Sequence, residues 1–265
     1  MTVPADPDHG RRFGGVARLF GPQALPRLAG AHLCVVGVGG VGSWAVEALA
    51  RSGIGRLTLI DMDHVAESNI NRQLAALDST LGRAKVTVLA ARIADINPAC
   101  QVTLVDDFIT RDNLTQHLGG DFAWVLDCID NFRIKAALIA HCRRRRQRVI
   151  CAGGAGGRID PTRVRVADLA RTEQDPLLAR TRKLLRHEYG FPTNPRRRFE
   201  VPAAWSDEPL RQPPQACDAA TGGLNCAGFG SLMPVTAAMG LAMAGHVVRK
   251  LAEGAGEVEP SGSDG

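Results

Sequence analysis

The stretch Cys34-Val35-Val36-Gly37-Val38-Gly39-Gly40-Val41-Gly42-Ser43 determines the fold of this chain. An apolar, β-branched run ends in a glycine-rich turn, a helical pattern begins at once, and the next apolar run ends at Asp61, about twenty residues on. Glycine lets the backbone approach phosphates, a helix N-terminus offers free N–H groups, and an acid at this distance accepts a hydrogen bond from a ribose hydroxyl. The pattern predicts a nucleotide site, although it does not separate NAD from ATP.

Strand and helix patterns alternate along most of the chain. They predict an α/β fold: a Rossmann-like, doubly wound, mainly parallel sheet with helices on both faces. We also expect a short amphipathic helix at 16–28, a C-terminal crossover segment and a long apolar helix over 231–251. Because the carboxyl ends of parallel strands meet at one edge, the residues that follow four strands should line one crevice: Gly37, Asp61, Asp127 and Gly153.

The length of 265 residues accommodates one such domain. We expect it to span 12–251, between a disordered N-terminus (1–11) and a disordered tail (252–265), with a mobile basic segment at 172–223. Periodicity predicts one helix in that segment, from Pro176 to Glu188, and little else. An apolar run of about eighteen residues and a signal-peptide pattern are both missing from the sequence, which therefore predicts a cytoplasmic protein without a membrane span.

The seven cysteines do not form a C-x-x-C pair, so neither a disulfide framework nor a zinc ribbon is indicated. Five of them lie in or beside apolar runs, where packing is the expected role. Cys217 and Cys226 lie instead in a stretch rich in Gly, Asn and Asp, so a reactive thiol remains an alternative there.

The net charge of +5 is modest, but its distribution is uneven. Between Arg143 and Arg198 there are sixteen Lys and Arg residues against five Asp and Glu residues. An anionic partner, most commonly nucleic acid, would explain such a concentration. The alternative is an arginine-rich helix face that is simply solvated.

The residues after Asp61 indicate the chemistry, because they place carboxylates, amides, an arginine and a lysine just beyond the nucleotide strand. When a carboxylate attacks the α-phosphorus of a triphosphate, positive charges and a divalent metal are required to neutralise the phosphates. This set supplies both kinds of group. The alternatives are turn or cap roles for the acid and the amide and surface ion pairs for the bases. The residues concerned are Asp63, Asn69, Arg72, Gln73 and Lys85.

Together these motifs resemble the adenylating fold shared by ubiquitin-activating enzymes and the bacterial activators of molybdopterin and thiamin sulfur carriers. The resemblance rests on Gly-x-Gly-Gly-Val-Gly-Ser, Asp61-x-Asp63, Asn69-x-x-Arg72-Gln73, Lys85 and Leu126-Asp127-Cys128-Ile129-Asp130-Asn131. Within that superfamily the chain looks most like the tRNA threonylcarbamoyladenosine dehydratases. This closer similarity rests on residues 12–21, 53–55, 152–162 and 225–230.

The resemblance implies a reaction. ATP would adenylate the carboxylate of the threonylcarbamoyl group on adenosine 37 of tRNA, and the neighbouring carbamoyl would then expel AMP and close a ring, with net loss of water. It also implies the roles of the residues. Arg72, Lys85 and Asp130 would be catalytic, and Asp130 would hold Mg²⁺. ATP would be bound by Gly37, Gly39, Gly40, Gly42, Asp61, Asp63, Asn69, Arg72, Gln73, Lys85 and Asp127.

The resemblance also implies partners. The enzyme would act as a homodimer and bind the anticodon loop of tRNA through the basic region 143–198. An aromatic side chain would stack on an exposed base, and the candidates are Tyr189, Phe191, Phe199 and Trp205.

Two other functions are weighed beside this one. The first is an adenylating activator of a small ubiquitin-like sulfur-carrier protein, with Cys217 or Cys226 receiving the sulfur or thioester. The second is a catalytically silent nucleotide-binding module. The chain lacks the paired C-x-x-C motifs of the sulfur-carrier activators, which weighs against a carrier partner. It also lacks their Arg-aromatic-x-Arg motif, which leaves Arg12 or Arg18 as the arginine that would reach the ATP of the partner subunit.

Overall fold

The computed structural model describes residues 8–211 and 229–254, which form a seven-stranded sheet with helices on both sides. The strands follow one another across the sheet in the order β3-β2-β1-β4-β5-β7-β6. Their bounds are β1 His32–Val36, β2 Arg56–Ile60, β3 Gln101–Val105, β4 Trp124–Asp127, β5 Val149–Ala152, β6 Val164–Asp168 and β7 Pro202–Ser206.

All strand pairs are parallel except β6 with β7. The chain runs from β1 outward to β2 and β3, and then returns to β4 on the other side of β1. A crevice opens outside the carboxyl ends of the strands at such a reversal, and this is where open α/β sheets bind ligands. The reversal between β1 and β4 therefore positions the site.

Eight α-helices surround the sheet in the described residues. Their bounds are α1 His9–Phe20, α2 Ala24–Gly30, α3 Gly42–Arg51, α4 Lys85–Ile96, α5 Leu114–Leu118, α6 Phe132–Arg144, α7 Pro176–Glu188 and α8 Met233–Glu253. Two separate hydrophobic clusters cover the two faces of the sheet, one with α3, α4 and α8 and the other with α5, α6 and α7. Along β1, Leu33 and Val35 enter the first cluster while Cys34 and Val36 enter the second, as expected for a strand buried on both faces.

Near the N-terminus two helices replace the single one expected at 16–28. Gly21, with φ +88°, ends α1, and α2 then begins at Ala24. Residues 8–11, expected to be disordered, instead begin α1, because the Asp8 side chain accepts a hydrogen bond from the Arg11 N–H and caps the helix. Residues 1–7 lie outside the described part of the chain.

Within residues 172–211, the described part of the basic segment, the chain has more regular structure than its composition suggested. Helix α7 lies over Pro176–Glu188, as periodicity predicts, but the strand β7 that follows it was not predicted. Residues 202–206 form β7, which lies between β5 and β6 with Ala203, Ala204 and Trp205 buried. A short strand rich in small residues lacks the β-branched composition that sequence patterns detect. Residues 212–223 are not part of the described structure.

Helix α8 lies where the C-terminal apolar pattern predicted a helix, and its main contacts are with α3. The expectation of a long apolar helix is corrected, because α8 is apolar along the face that packs, whereas its last turns carry the charged residues Arg249, Lys250 and Glu253. Within the described residues, no helix has the length and apolar character needed to cross a membrane. Residues 252 and 253, expected to belong to a disordered tail, are part of α8, where Ala252 is buried and its carbonyl accepts a hydrogen bond from Arg27. Residues 255–265 lie outside the described residues.

The α3–α8 contact yields a test of packing. A Cβ at Gly240 would lie 2.3 Å from the Val41 carbonyl oxygen, whereas a Cβ at Gly245 on the same helix would meet nothing within 4 Å. We expect Gly240→Ala to lower the free energy of unfolding by about 1–3 kcal/mol through overpacking. Gly245→Ala, the matched control, should raise it by about 0.5–1 kcal/mol, because alanine loses less backbone entropy in a helix. Urea unfolding monitored by circular dichroism measures both, and equal effects would contradict the close contact.

Candidate active site

The glycine loop, residues 37–42, connects β1 to α3 at the carboxyl edge of the sheet. Gly37 has φ +81°, and a Cβ there would lie 3.0 Å from the Ile129 side chain and 3.2 Å from the carbonyl carbon of Cys128. The β1 loop and the β4 loop are therefore packed backbone against backbone. Glycine is required at this position by both its conformation and the space around it.

Gly42, the first residue of α3, packs even more closely. A Cβ at this position would lie 1.9 Å from the Gly37 carbonyl oxygen, so no side chain fits. This contact folds the loop tightly onto the first turn of α3, where the Ser43 N–H donates to the Gly39 carbonyl at 3.0 Å. Gly39 and Gly40 lie between these contacts and face Gln73 and Thr236. The four glycines predicted to approach phosphates therefore form one compact loop.

Asp61 follows β2, and its carboxylate lies against the glycine loop. One oxygen accepts a hydrogen bond from the Val38 N–H at 2.7 Å and the other from the Asp63 N–H at 2.9 Å. Burial raises the pKa of Asp61, and nearby Lys85 and the two amide hydrogen bonds oppose that shift. Each carboxylate oxygen can accept a second hydrogen bond, so the acid can orient the loop and still accept one from a ribose hydroxyl.

Lys85 is brought to the site by the pairing of the chain at His64 with the chain at Ala84. Its ammonium lies 2.7 Å from an Asp63 carboxylate oxygen, and its side chain is 6% exposed against 55% for Asp63. An enclosed cation whose ion-pair partner is an exposed carboxylate can also interact with an incoming phosphate, because Asp63 can turn toward solvent. The two residues predicted separately from the sequence thus form one pair.

Asn69, Arg72 and Gln73 lie on one short turn beside the glycine loop. The Asn69 side-chain oxygen accepts a hydrogen bond from the Ala66 N–H at 3.1 Å, which is the cap role weighed as the alternative to phosphate binding. The Arg72 guanidinium donates to the Ser68 carbonyl and to the Asn71 side chain. Gln73 is buried, and its side-chain oxygen lacks a hydrogen-bond partner within the described structure. An unsatisfied acceptor beside a glycine loop fits a site that a ligand completes.

The β4 loop carries two acids with different surroundings. Asp127 ends β4 with its side chain fully enclosed, and it forms an ion pair with Lys135 at 2.9 Å. The prediction that Asp127 contacts the cofactor is therefore corrected, because protein atoms cover its carboxylate on all sides. Asp130 is exposed at the crevice, where the resemblance places Mg²⁺.

The donor set at Asp130 can be tested against what Mg²⁺ requires. Groups of three or more His, Cys, Asp or Glu suited to a metal are missing from the described ranges, 8–211 and 229–254. Mg²⁺ commonly binds through one or two carboxylates, with waters and substrate phosphates as the remaining ligands. An exposed carboxylate at the nucleotide crevice fits that mode of binding.

The described cysteines are unsuited to covalent chemistry. Burial raises the pKa of the Cys142 and Cys151 thiols to about 12 and that of Cys100 to about 11, and it also raises the pKa of Cys34 and Cys128. These thiols therefore stay protonated near neutral pH and act as small apolar groups. Cys217 and Cys226, the candidates for a reactive thiol, lie outside the described residues.

Most of the arginines in 143–198 are exposed, and many of them lie at the end of α6, on α7 or in the loop after α7. We call this the basic surface: residues 143–146, 180–186 and 196–198. Arg143 forms an ion pair with Glu200 at 2.5 Å, and Arg171 donates to the Arg196 carbonyl, so the end of α6 and the loop after α7 are held against neighbouring parts of the chain. Arg158 is instead buried, and Arg163 and Arg165 bind Asp207.

The structure reduces the candidates for stacking on a nucleic-acid base from four to two. Phe199 and Trp205 are 2% and 5% exposed, so they cannot stack on a base, whereas Tyr189 and Phe191 are partly exposed.

The two candidates for the arginine that would reach the partner subunit's ATP differ in their surroundings. Arg12 donates to the carbonyls of Asp95 and Ile96 at the end of α4, which occupies its guanidinium within its own chain. Arg18 is exposed on α1.

Sequence reasoning missed the buried charges beneath the crevice, which are Lys135, Arg158 and Asp175. Each lies in a stretch whose pattern predicted only a helix or a glycine-rich turn. Two signals were available in the sequence. Lys135 lies among apolar residues in the first turn of α6, and Asp175 immediately precedes Pro176. The acid is the N-cap of α7, which the helix-start pattern could have predicted.

The chain is similar in sequence to proteins of known family and activity. The ThiF family model matches residues 15–263. A tRNA threonylcarbamoyladenosine dehydratase of Haemophilus influenzae is 49% identical over 254 residues, which cover 95% of this chain and 97% of that protein. The Escherichia coli K12 enzyme of the same name is 49% identical over 260 residues, with the same coverage.

The chain is also similar in fold to solved structures. The crystal structure of E. coli TcdA, a tRNA N6-threonylcarbamoyladenosine dehydratase, in complex with ATP is similar with a TM-score of 0.85 at 47% identity, covering 94% of this chain and 97% of that one. The structure of the same enzyme in complex with AMP has a TM-score of 0.84. The family match over 15–263 and the 49% identity to relatives covered almost end to end show that the chain belongs to the ThiF family.

Proposed function

We propose that this protein is an ATP-dependent tRNA threonylcarbamoyladenosine dehydratase that cyclises the modified adenosine 37 through an acyl-adenylate. The observation that carries the proposal is the 49% identity to curated dehydratases over 95% of the chain, together with a crevice suited to a triphosphate. The adenylating site is built from the glycine loop, Asp61 and the Lys85–Asp63 pair.

The residues suit a reaction in which the substrate supplies its own nucleophile. The carboxylate of the threonylcarbamoyl group attacks the α-phosphorus of ATP and pyrophosphate leaves. The carbamoyl group then attacks the acyl-adenylate and releases AMP. The protein has to hold the groups in line and to stabilise negative charge, and Arg72 and Lys85 are placed to do so beside the loop. This is consistent with the protonated, buried state of the described cysteines.

We also propose that Asp130 holds Mg²⁺, which would neutralise phosphate charge when bound. The other assigned residues keep the roles given above: Asp61 binds the ribose, and Asn69 and Gln73 face the phosphates. Asn69 has its side-chain amide available for this, since the interaction with Ala66 uses the oxygen.

The proposed partner is the anticodon loop of tRNA, bound through the basic surface. Phosphate contacts require exposed cations, and the proposal is supported by the packing of α6 against α7 and by the exposed arginines at the end of α6, on α7 and in the loop that follows α7. We further propose a homodimer, in which a second copy covers exposed apolar side chains at the start of α8 and in the loop after β2: Ile70, Leu77, Leu81, Leu232 and Met233. A cytoplasmic location follows from the proposed substrates.

The proposed function has a direct test. Purified protein is incubated with Mg²⁺, ATP and tRNA that carries threonylcarbamoyladenosine, and the mass of the modified nucleoside is measured. We expect an ATP-dependent loss of one water. An unchanged mass together with AMP release driven by a small carrier protein would favour the carrier-activating function instead, and ATP binding without turnover on either substrate would favour a silent nucleotide-binding module.

The roles of Arg72 and Lys85 can be tested in the same assay. Arg72→Ala and Lys85→Ala should each lower kcat by about 10²–10³-fold, because each removes a charge that stabilises the transition state. Arg83→Ala is the matched control, since Arg83 is exposed two residues before Lys85 and should leave kcat unchanged. Circular dichroism checks that all three variants are folded, and full activity of both site variants would contradict the assignment.

The basic surface predicts a salt dependence. Changing Arg144 and Arg146 to glutamine should weaken tRNA binding and reduce the slope of log K against log salt by about one unit for each phosphate interaction that the substitutions remove. Arg11→Gln with Arg56→Gln removes the same charge from exposed positions away from α6 and α7, and this control should leave the slope unchanged. Filter binding at a series of salt concentrations measures the slope for each double variant. Equal slopes for the Arg144/Arg146 variant and the Arg11/Arg56 control would favour the alternative that the basic surface is only a solvated face.

A further inference from the structure

Four charged side chains lie buried beneath the crevice and alternate in sign. Asp127 and Lys135 are fully buried and 2.9 Å apart, and Arg158 and Asp175 are almost fully buried and 3.5 Å apart. Burial opposes charge on Lys135, but Asp127 beside it holds the lysine pKa above its usual value. The ends of β4 and β5 pair at Asp127 and Cys151, so the two ion pairs lie near the ends of neighbouring strands.

Lys135 fixes the end of β4 by two contacts. Its ammonium binds the Asp127 carboxylate at 2.9 Å and donates to the Asp127 carbonyl at 3.3 Å. The same carboxylate accepts the Ile129 N–H at 3.2 Å, and the Asn131 side chain caps α6 by accepting from Arg133 and Ile134. These contacts hold both ends of the segment 127–135 in place, and the exposed Asp130 lies between them.

Asp175 fixes the turn after β5 in a similar way. One carboxylate oxygen accepts the Gly154 N–H at 2.9 Å and the other accepts the Leu178 N–H at 2.9 Å, so the turn is attached to the start of α7. A Cβ at Gly153 would lie 2.2 Å from this carboxylate, which leaves room only for glycine. Arg158 closes the turn from the other side by donating to the carbonyls of Gly154 and Gln174.

Stability alone does not explain such a set. Well-packed apolar residues in place of a buried ion pair are often neutral or stabilising, because desolvation offsets the Coulombic attraction. These charges lie instead beside two loops at the carboxyl edge of the sheet: the β4 loop with Asp130, and the turn after β5 that Asp175 attaches to the start of α7. Lys135 is completely enclosed, so it acts on these loops and does not touch a substrate.

We propose that Lys135 is a positioning residue for the reaction, which holds the Asp127–Asp130 loop in place. The inference rests on the proposed function, since it assumes that this loop borders the reacting groups. A displacement of a reacting group by about 1 Å can cost about 10²-fold in rate.

The test separates positioning from stability. Lys135→Met leaves Asp127 as a buried unpaired carboxylate and should lower Tm and kcat together. The double variant Lys135→Met with Asp127→Asn removes both charges and should recover most of the Tm. We expect its kcat to remain about 10²-fold low, with KM for ATP within about twofold of the original. Lys250→Met, at an exposed lysine on α8, is the control and should change neither quantity.

Recovery of kcat together with Tm in the double variant would overturn the proposal, because the pair would then serve stability alone. So would a loss of ATP affinity that accounts for the whole loss of rate. If the double variant does not fold, Asp127→Asn alone keeps the side-chain shape and should lower kcat with an unchanged KM for ATP, and an unchanged kcat would overturn the proposal. Absence of dehydration by the unmodified protein would instead refute the proposed function itself.

Discussion

The site depends on the close approach of two backbones in the glycine loop. The Gly37 carbonyl oxygen lies 1.9 Å from the position where a Cβ of residue 42 would be, and Gly37 itself has φ +81°. These two requirements bring the start of α3 directly beneath the loop. Gly240 extends the same constraint, because it allows α8 to pack against the Val41 carbonyl. The three glycines Gly37, Gly42 and Gly240 thus set how closely the glycine loop, α3 and α8 approach one another.

The charges of the site divide into exposed and enclosed ones, and the division has a chemical meaning. Asp63 and Asp130 are exposed, where they can exchange partners when a nucleotide binds. Asp127, Lys135 and Asp175 are enclosed, where any unpaired charge is costly, so they stay in one arrangement. Asp61 combines both situations, since it is partly buried and orients two backbone N–H groups. Enclosed charges that keep one arrangement, beside exposed charges that can change partners, suit the binding of a highly charged substrate.

Much of the architecture could be predicted from the sequence, because strongly apolar strands and periodic helices are local signals. Helix α7 shows how well this works, since Asp175-Pro176 marks its start and its periodicity marks its length. Strand β7 shows where it fails. Residues 202–206 carry no β-branched side chain, and they form a strand only because β5 and β6 offer open edges on both sides. The break at Gly21 was missed for a related reason, since the helical periodicity continues across it.

The fold class and the nucleotide loop follow from the chain's local patterns, because a glycine-rich turn between a strand and a helix, with an acid after the next strand, specifies a nucleotide site. The residues proposed to bind ATP come from the resemblance of their motifs to a known family. Which charges face the crevice and which support it depends instead on the packed molecule. Asp127 and Asp130 are three residues apart and look equivalent in the sequence, yet the fold encloses the first against Lys135 and exposes the second. The physical reason is that burial depends on the packing of α6 and α7 against the sheet, which brings together residues far apart in the chain.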